Sequence, residues 1–306
     1  MKKPYYSLKD YFAKKYNKKI HKITIDAGFT CPTRDGTKGR DGCLYCDARG
    51  SGNGSFNRGM SVADQVKQAR KYLRERHNAE KFFLYYQAFT NTYADAGRLK
   101  AVYDEGLGCD EGDIAGLIIG TRPDCVDEEK IRLIAGYHPG YEVWIEYGLQ
   151  SIHQRTLDLI QRGHGKEDYS RAVRMTECFP VNMTTHIIVG LPHETHNKIM
   201  ETIRFILKTG GVRSLKIHSL YIPLGSKLAE LYQKERFKLM TRDEYIRTAA
   251  DILEVLPPDI IISRLTGETS RAELLAPEWV LDKQGVIRGI TEELRRRGSW
   301  QGKHSG

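Results

Sequence analysis

Residues 22–46 read KITIDAGFTCPTRDGTKGRDGCLYC, and the fold is decided by how this stretch is read. Its first six residues form a β-branched run that alternates Ile23 and Ile25 with polar neighbours, the pattern of a short strand, and Gly28 closes it. A glycine-punctuated loop follows and carries Cys31, Cys43 and Cys46. In open or barrel-like parallel sheets, ligand sites sit in the loops at the carboxyl ends of the strands. Three thiols placed there read as a site.

Working outward, further β-rich runs at 81–87, 114–120, 142–149, 184–190 and 215–221 alternate with amphipathic segments, as βα units around a parallel sheet do. Helices are expected at 61–77, 128–136, 154–161, 168–177, 197–208 and 241–256, with a weaker one at 97–105. The clearest starts at Ser61, which can cap with Asp64 ahead of the stripe Val62, Val66, Ala69 and Leu73. Six such units fit an incomplete barrel better than a flat dinucleotide-binding sheet. The expected organisation is α/β: a basic extension over 1–21, a partial (β/α)6 barrel over 22–258 and a C-terminal extension over 259–306.

The chain has 306 residues, 48 Lys+Arg against 39 Asp+Glu and a net charge of +9, with 17 Tyr, 9 Phe and 3 Trp. That composition supports a large core and excludes a disordered tail protein. No apolar run is long enough to span a membrane, and residues 1–20 lack the apolar stretch of a signal peptide, so a cytoplasmic location is expected. Lysines interleaved with Tyr5, Tyr6, Tyr11, Phe12 and Tyr16 give the N-terminal segment two readings: a grip on a nucleic-acid backbone with stacked bases, or a solvated terminal helix.

Three close soft ligands suit zinc or an iron–sulfur cluster. Zinc needs a fourth ligand, for which Asp47 and His21 are the nearby options. Cys109, Cys125 and Cys178 are scattered and read as structural. Gly50, Gly52, Gly54 and Gly59 mark a Gly/Ser-rich loop after the cysteines. On the fourth strand, alternation sets Val143, Ile145, Tyr147 and Leu149 on one face and Glu142, Trp144, Glu146 and Gly148 on the other, with Gln150 joining Glu146 if the strand continues.

Cys31-Pro-Thr-Arg-Asp-Gly, the spacing to Cys43 and Cys46, Gln87-Ala-Phe-Thr-Asn-Thr, Thr121-Arg-Pro-Asp and Glu146-Tyr-Gly-Leu-Gln-Ser together resemble the radical S-adenosylmethionine (SAM) enzymes. The resemblance is to the YtqA/YhcC group, related to the Elongator catalytic subunit and oxygen-independent coproporphyrinogen oxidase. It implies a 4Fe-4S cluster on Cys31, Cys43 and Cys46, with SAM on the open iron, cleaved by one electron from a reducing donor to a 5′-deoxyadenosyl radical. It further implies that Arg162 meets the SAM carboxylate, that Glu146 and Gln150 face SAM, and that Gln87, Thr90 and Asn91 stand where a related segment receives its amino group. Gly190, in His186-Ile-Ile-Val-Gly, falls in a segment resembling the one that contacts adenine. Arg122 and Asp124 have two readings, a ligand contact or a loop ion pair.

The implied partner is transfer RNA, with the carbon-5 side chain of the wobble uridine taken from a carboxymethylaminomethyl type to an aminomethyl type. The positive charge agrees with a polyanionic partner but does not identify it. Two alternatives stay open from sequence: a radical SAM enzyme acting on a small metabolite, and a noncatalytic zinc-bearing RNA-binding protein.

Overall fold

The computed structural model describes residues 4–47, 49–50 and 59–305; Gly52 and Gly54 of the Gly/Ser-rich loop lie outside these. The strands are β1 (Ile20–Ile25), β2 (Lys81–Tyr86), β3 (Ile114–Thr121), β4 (Glu142–Gln150), β5 (Asn182–Val189), β6 (Val212–Ser219), β7 (Ile222–Pro223), β8 (Ile261–Arg264) and β9 (Leu274–Ala276). Seven form one sheet in the order β1-β2-β3-β4-β5-β6-β8, with every neighbouring pair parallel. β7 and β9 make a small antiparallel ribbon. Sequential order equals spatial order, so the sheet curls one way into an open half-barrel. The expected α/β partial barrel is present, with a seventh strand, β8, after the expected six.

The helices are α1 (Leu8–Tyr16), α2 (Val62–His77), α3 (Ala96–Leu107), α4 (Glu128–Ala135), α5 (Gln154–Leu159), α6 (Lys166–Glu177), α7 (His196–Thr209), α8 (Lys227–Glu235), α9 (Arg242–Val255) and α10 (Lys283–Arg296). Most cover the convex face, where Ile23, Leu84, Ile119, Ile145, Ile187 and Ile217 pack against helix residues such as Val66, Leu99, Ile131, Val173, Ile203 and Ala249. No helix among the described residues is long and apolar enough to cross a membrane.

The concave face has a different filling at each level. At the amino ends of the strands, Tyr11 and Phe12 of α1 pack on Phe83, Tyr85, Ile118, Trp144 and Ile261. Phe12 stacks on Phe83 at 4.9 Å and Tyr11 meets Trp144 edge-on. Both hydroxyls, of Tyr11 and Tyr16, donate to Glu142, and Lys15 pairs with it at 3.0 Å. The N-terminal aromatics are therefore a plug in the barrel floor, so Tyr11 and Phe12 are not free to stack on bases. Ser7 bridges to Ile262, tying this segment to edge strand β8, and Gln301 accepts from the Tyr6 amide at 2.8 Å.

Truncating the plug leaves a cavity under the sheet. Phe12→Ala is expected to destabilise by about 3 kcal/mol, read as a lower urea midpoint at an unchanged slope.

Candidate functional site

The cysteine loop lies across the carboxyl ends of the strands and is held by its own backbone. Arg34 and Asp35 amides donate to the Cys31 carbonyl, the Gly42 amide to that of Thr33, and the Cys46 amide to that of Cys43 at 2.9 Å. Leu44, between the second and third thiols, packs with Leu157, Ile160, Leu191 and Leu228. Its amide donates to Ile160 and its carbonyl accepts from Leu228. The spacing Cys-x2-Cys thus turns one apolar residue inward as an anchor, and the thiols flank it.

No cysteine is in a disulfide. Cys31 Sγ lies 2.9 Å from Thr90 Oγ1. Cys43 receives a guanidinium N–H from Arg162 at 3.5 Å. Burial pushes the Cys43 thiol up, but Arg162 and Arg122 outweigh it and hold it below the ordinary value, whereas burial dominates at Cys31 and raises it. Among the described residues no three His, Cys, Asp or Glu side chains gather around one ion position. His21 stacks on His77 at 5.3 Å, and Asp47 pairs with Arg49 at 3.0 Å.

Arg162 is the centre of the mouth. It is 7% exposed, its Nη2 donates to the Gly148 carbonyl at 2.7 Å, and its Nε is buried without a hydrogen-bond partner. A Cβ on Gly148 would lie 2.6 Å from that Nη2 and 2.7 Å from Gln150 Nε2, so glycine is what lets both polar ends crowd over β4. The β4–β5 register slips between Gly148 and Gln150, and Gln150, the last residue of β4, has φ 70°, with its side chain lying back over Gly148.

Arg122 grips Asp124 with two bonds of 2.9 Å, and Lys38 adds one of 2.6 Å, so this pair is a loop clamp. Burial opposes ionisation of Asp124, yet Arg122 and Lys38 hold its carboxyl far below the usual range. Nη1 of Arg122 is buried and unpartnered. Two guanidiniums with orphaned buried N–H groups, both acting on Cys31 and Cys43, suit a negatively charged metal cluster and a carboxylate-bearing ligand, and the loop's donor set is all soft sulfur. The residues present therefore fit a cubane with SAM.

Among the other residues singled out by sequence, Asn91 is fully buried and donates to the carbonyls of Tyr86, Ala88 and Gly120, bracing the ends of β2 and β3. Gln87 opens this turn, its amide donating to Ile25. Gly190, at φ 93°, follows β5, where a Cβ would press to 3.1 Å from Met240 Sδ.

Glu146 sits one side-chain layer, ~7 Å, below Gly148 on the same face of β4. Its carboxylate meets Lys216 Nζ at 2.5 Å, His186 Nε2 at 2.9 Å and Lys22 at 3.8 Å. Lys22, Lys216, Arg264 and His218 belong to this layer and carry no motif. The signal available for them was parity: Lys216 and His218 alternate with Leu215 and Ile217 on β6, so the polar pair faces inward. His164 is a further residue beyond the motifs, with Nε2 3.2 Å from the Gly148 carbonyl.

A scan of family models matches the Radical SAM superfamily over residues 36–206 and the Radical_SAM C-terminal domain over 212–296. YtqA of Bacillus subtilis is 34% identical over 301 residues, which cover 98% of this chain and 92% of YtqA. A tRNA uridine(34) acetyltransferase of Methanocaldococcus infernus is 24% identical over 151 residues, 49% of this chain and 28% of that protein. The solved structure of Elp3 from the same archaeon superposes with a TM-score of 0.69 at 16% identity, covering 93% of this chain and 64% of that one, a likeness of fold.

Burial, then Arg162 and Arg122, bring the His164 imidazole down to about 3. Because this lies below the unfolded value of 6.5, the stabilisation from the neutral ring is complete above about pH 6.5 and is lost as pH falls from there towards 3. Urea midpoints of the wild type and His164→Gln at pH 7 and pH 5 are expected to show a smaller pH dependence in the variant.

Proposed function

The chain belongs to the radical SAM superfamily, and from that premise we propose that it modifies the carbon-5 side chain of the wobble uridine of transfer RNA in the cytoplasm. The reaction takes a carboxymethylaminomethyl-type group to an aminomethyl type: the bond from nitrogen to the carboxymethyl carbon breaks, the two carbons leave as glyoxylate with its aldehyde oxygen from water, and SAM, split to methionine and 5′-deoxyadenosine, takes up the two electrons. The observation that carries the site is the buried Arg162, fixed between the Gly148 carbonyl and Cys43 with an unpartnered Nε.

The family's cofactors, a 4Fe-4S cluster and SAM, supply one-electron cleavage of the sulfonium and the radical that abstracts hydrogen. Cys31, Cys43 and Cys46 are the thiolates that hold the cluster. Arg162 has the planar fork that binds a carboxylate bidentately, and its anchorage on Gly148 fixes where that carboxylate lies. Gln150, folded back over Gly148, supplies an amide at the same level. Thr90, against Cys31, and Gln87 line the β2 end, which Asn91 braces; Gly190, packed close to Met240, stands at the β5 end, in the segment assigned to the adenine. Glu146 orders the layer below through Lys216 and His186. Burial in the half-barrel excludes water from the reacting groups.

Transfer RNA is supported by the charge of +9 and by the uridine-34 enzyme that matches about half of the chain.

Two measurements test this reading. Anaerobically reconstituted wild type is expected to carry the iron and sulfide of one cubane and to cleave SAM under reduction, with Cys43→Ala losing both. Mass spectrometry of wobble nucleosides is expected to show the carboxymethylaminomethyl form accumulating in cells that lack the gene. A nucleoside profile that does not change, with SAM cleavage intact, would remove transfer RNA as substrate.

A further inference from the structure

The layer beneath the mouth has an imbalance of charge. Lys22 on β1, Lys216 on β6 and Arg264 on β8 face one another across the concave interior, and among the described residues Glu146 is the carboxylate that Lys22 and Lys216 meet. β1 and β8 are the two edges of the open barrel, so two of the cations flank its lateral gap. Arg264 reaches Glu268 only at 3.5 Å, and that carboxylate is engaged by Lys283 at 2.6 Å. His186 and His218 stack at 5.5 Å on the same side. His218 Nε2 is buried with no hydrogen-bond partner. Lys216 also points at Tyr85, 3.0 Å from its hydroxyl, with the ring 4.5 Å away, so its donors are aimed at the interior and not at bulk water.

Of the three cations Lys216 is buried and Lys22 and Arg264 are part-exposed; a buried cation short of anions is costly, and an unsatisfied buried nitrogen adds to the cost. Both are relieved by an anionic guest. The cofactor's carboxylate has Arg162 one layer above. An RNA backbone phosphate is held inside a bulky chain, whereas a carboxylate at the tip of a side chain is slender enough for an interior layer.

We propose that this layer is a substrate-carboxylate site, in which Lys22, Lys216 and Arg264, with His218 Nε2 as a further partner, receive the terminal carboxylate of the group to be modified. The identity of the guest rests on the wobble-uridine reading above; the site itself rests on the charges and the orphaned imidazole. Glu146 is then a positioning residue: it holds Lys216 and His186 so that their remaining capacity faces the guest. The same arrangement selects substrate over product, because the aminomethyl product keeps the ammonium and has lost the carboxylate, leaving only a charge that the cations repel.

The test uses reconstituted holoenzyme with SAM and no reductant. Binding is measured for transfer RNA carrying the carboxymethylaminomethyl wobble group and for the same RNA with the aminomethyl group. Wild type is expected to favour the carboxylated RNA by about tenfold or more, the scale of one charge-assisted hydrogen bond, and Lys216→Met to bind the two alike. Arg264→Gln, at a partly exposed edge, gives the same comparison without a buried substitution. If both variants keep the wild-type preference, the site is wrong while the wobble reading stands.

In parallel, N-methylglycine and inorganic phosphate are titrated while the 15N signals of the His218 ring are followed by NMR. A shift with N-methylglycine in wild type but not in Arg264→Gln is expected. That shift, together with no discrimination between the RNAs, would sink the wobble reading and leave the carboxylate site. Signals that move with phosphate only, or with neither probe, overturn the proposal.

Discussion

The Glu146 carboxylate is the constraint on which the interior depends. A sheet that curls without closing must put something on its concave face, and here that face carries lysines on two strands and an arginine on a third. Without an anion among them these charges would repel one another in a medium that screens poorly. Burial would raise the Glu146 carboxyl, but Lys216, Lys22 and His186 hold it well below its usual range, so it is an anion throughout the working range of pH. In return, burial and neighbouring cations lower Lys216 and bring the His186 ring down to about 4, so that ring stays neutral. One negative charge thus lets several cationic groups share an interior that would otherwise have to be apolar.

The two ends of the barrel follow from that middle. Below Glu146 the filling is aromatic, supplied by α1 and sealed by Glu142 with its two tyrosines. Above it the filling is the cysteine loop, which cannot pack by sulfur alone and is pinned by Leu44 and by Arg162. Floor and mouth are therefore held by different physics. The floor is hydrophobic and closed. The mouth is a frame of backbone hydrogen bonds and guanidiniums whose buried donors are not all used.

How far the sequence alone reached follows from this division. Strand parity is legible wherever one face is continuously apolar, so β4 and its inward Glu146 and Gly148 could be read before any coordinates. The cysteine loop was legible because its ligands are adjacent in sequence. β8 was not: four residues, two of them polar, are too short to show a period, and its partner β6 lies far upstream. α10 escaped because Gly285 and Gly289 dilute its stripe of Val286, Ile290 and Leu294; those glycines admit α9, where a Cβ on Gly289 would meet Ile246 at 2.5 Å. The cationic layer escaped for another reason. Its members come from β1, β6 and β8, and only the closure of the sheet brings them together.

The mouth and the layer below it repeat one design at two depths. In the mouth Arg122, Lys38 and Arg162 face a single carboxylate, Asp124, and leave two N–H groups unused. In the layer below, Lys22 and Lys216 meet Glu146, Arg264 stands near them at the β8 edge, and one imidazole nitrogen is left unused. At each level one acid is enough to organise the cations and too little to satisfy them. On the proposals above, the cofactor's carboxylate takes the upper place and a substrate's the lower, one stacked over the other. The ~7 Å step from Gly148 to Glu146 along one face of β4 is the spacing the strand provides for that stacking.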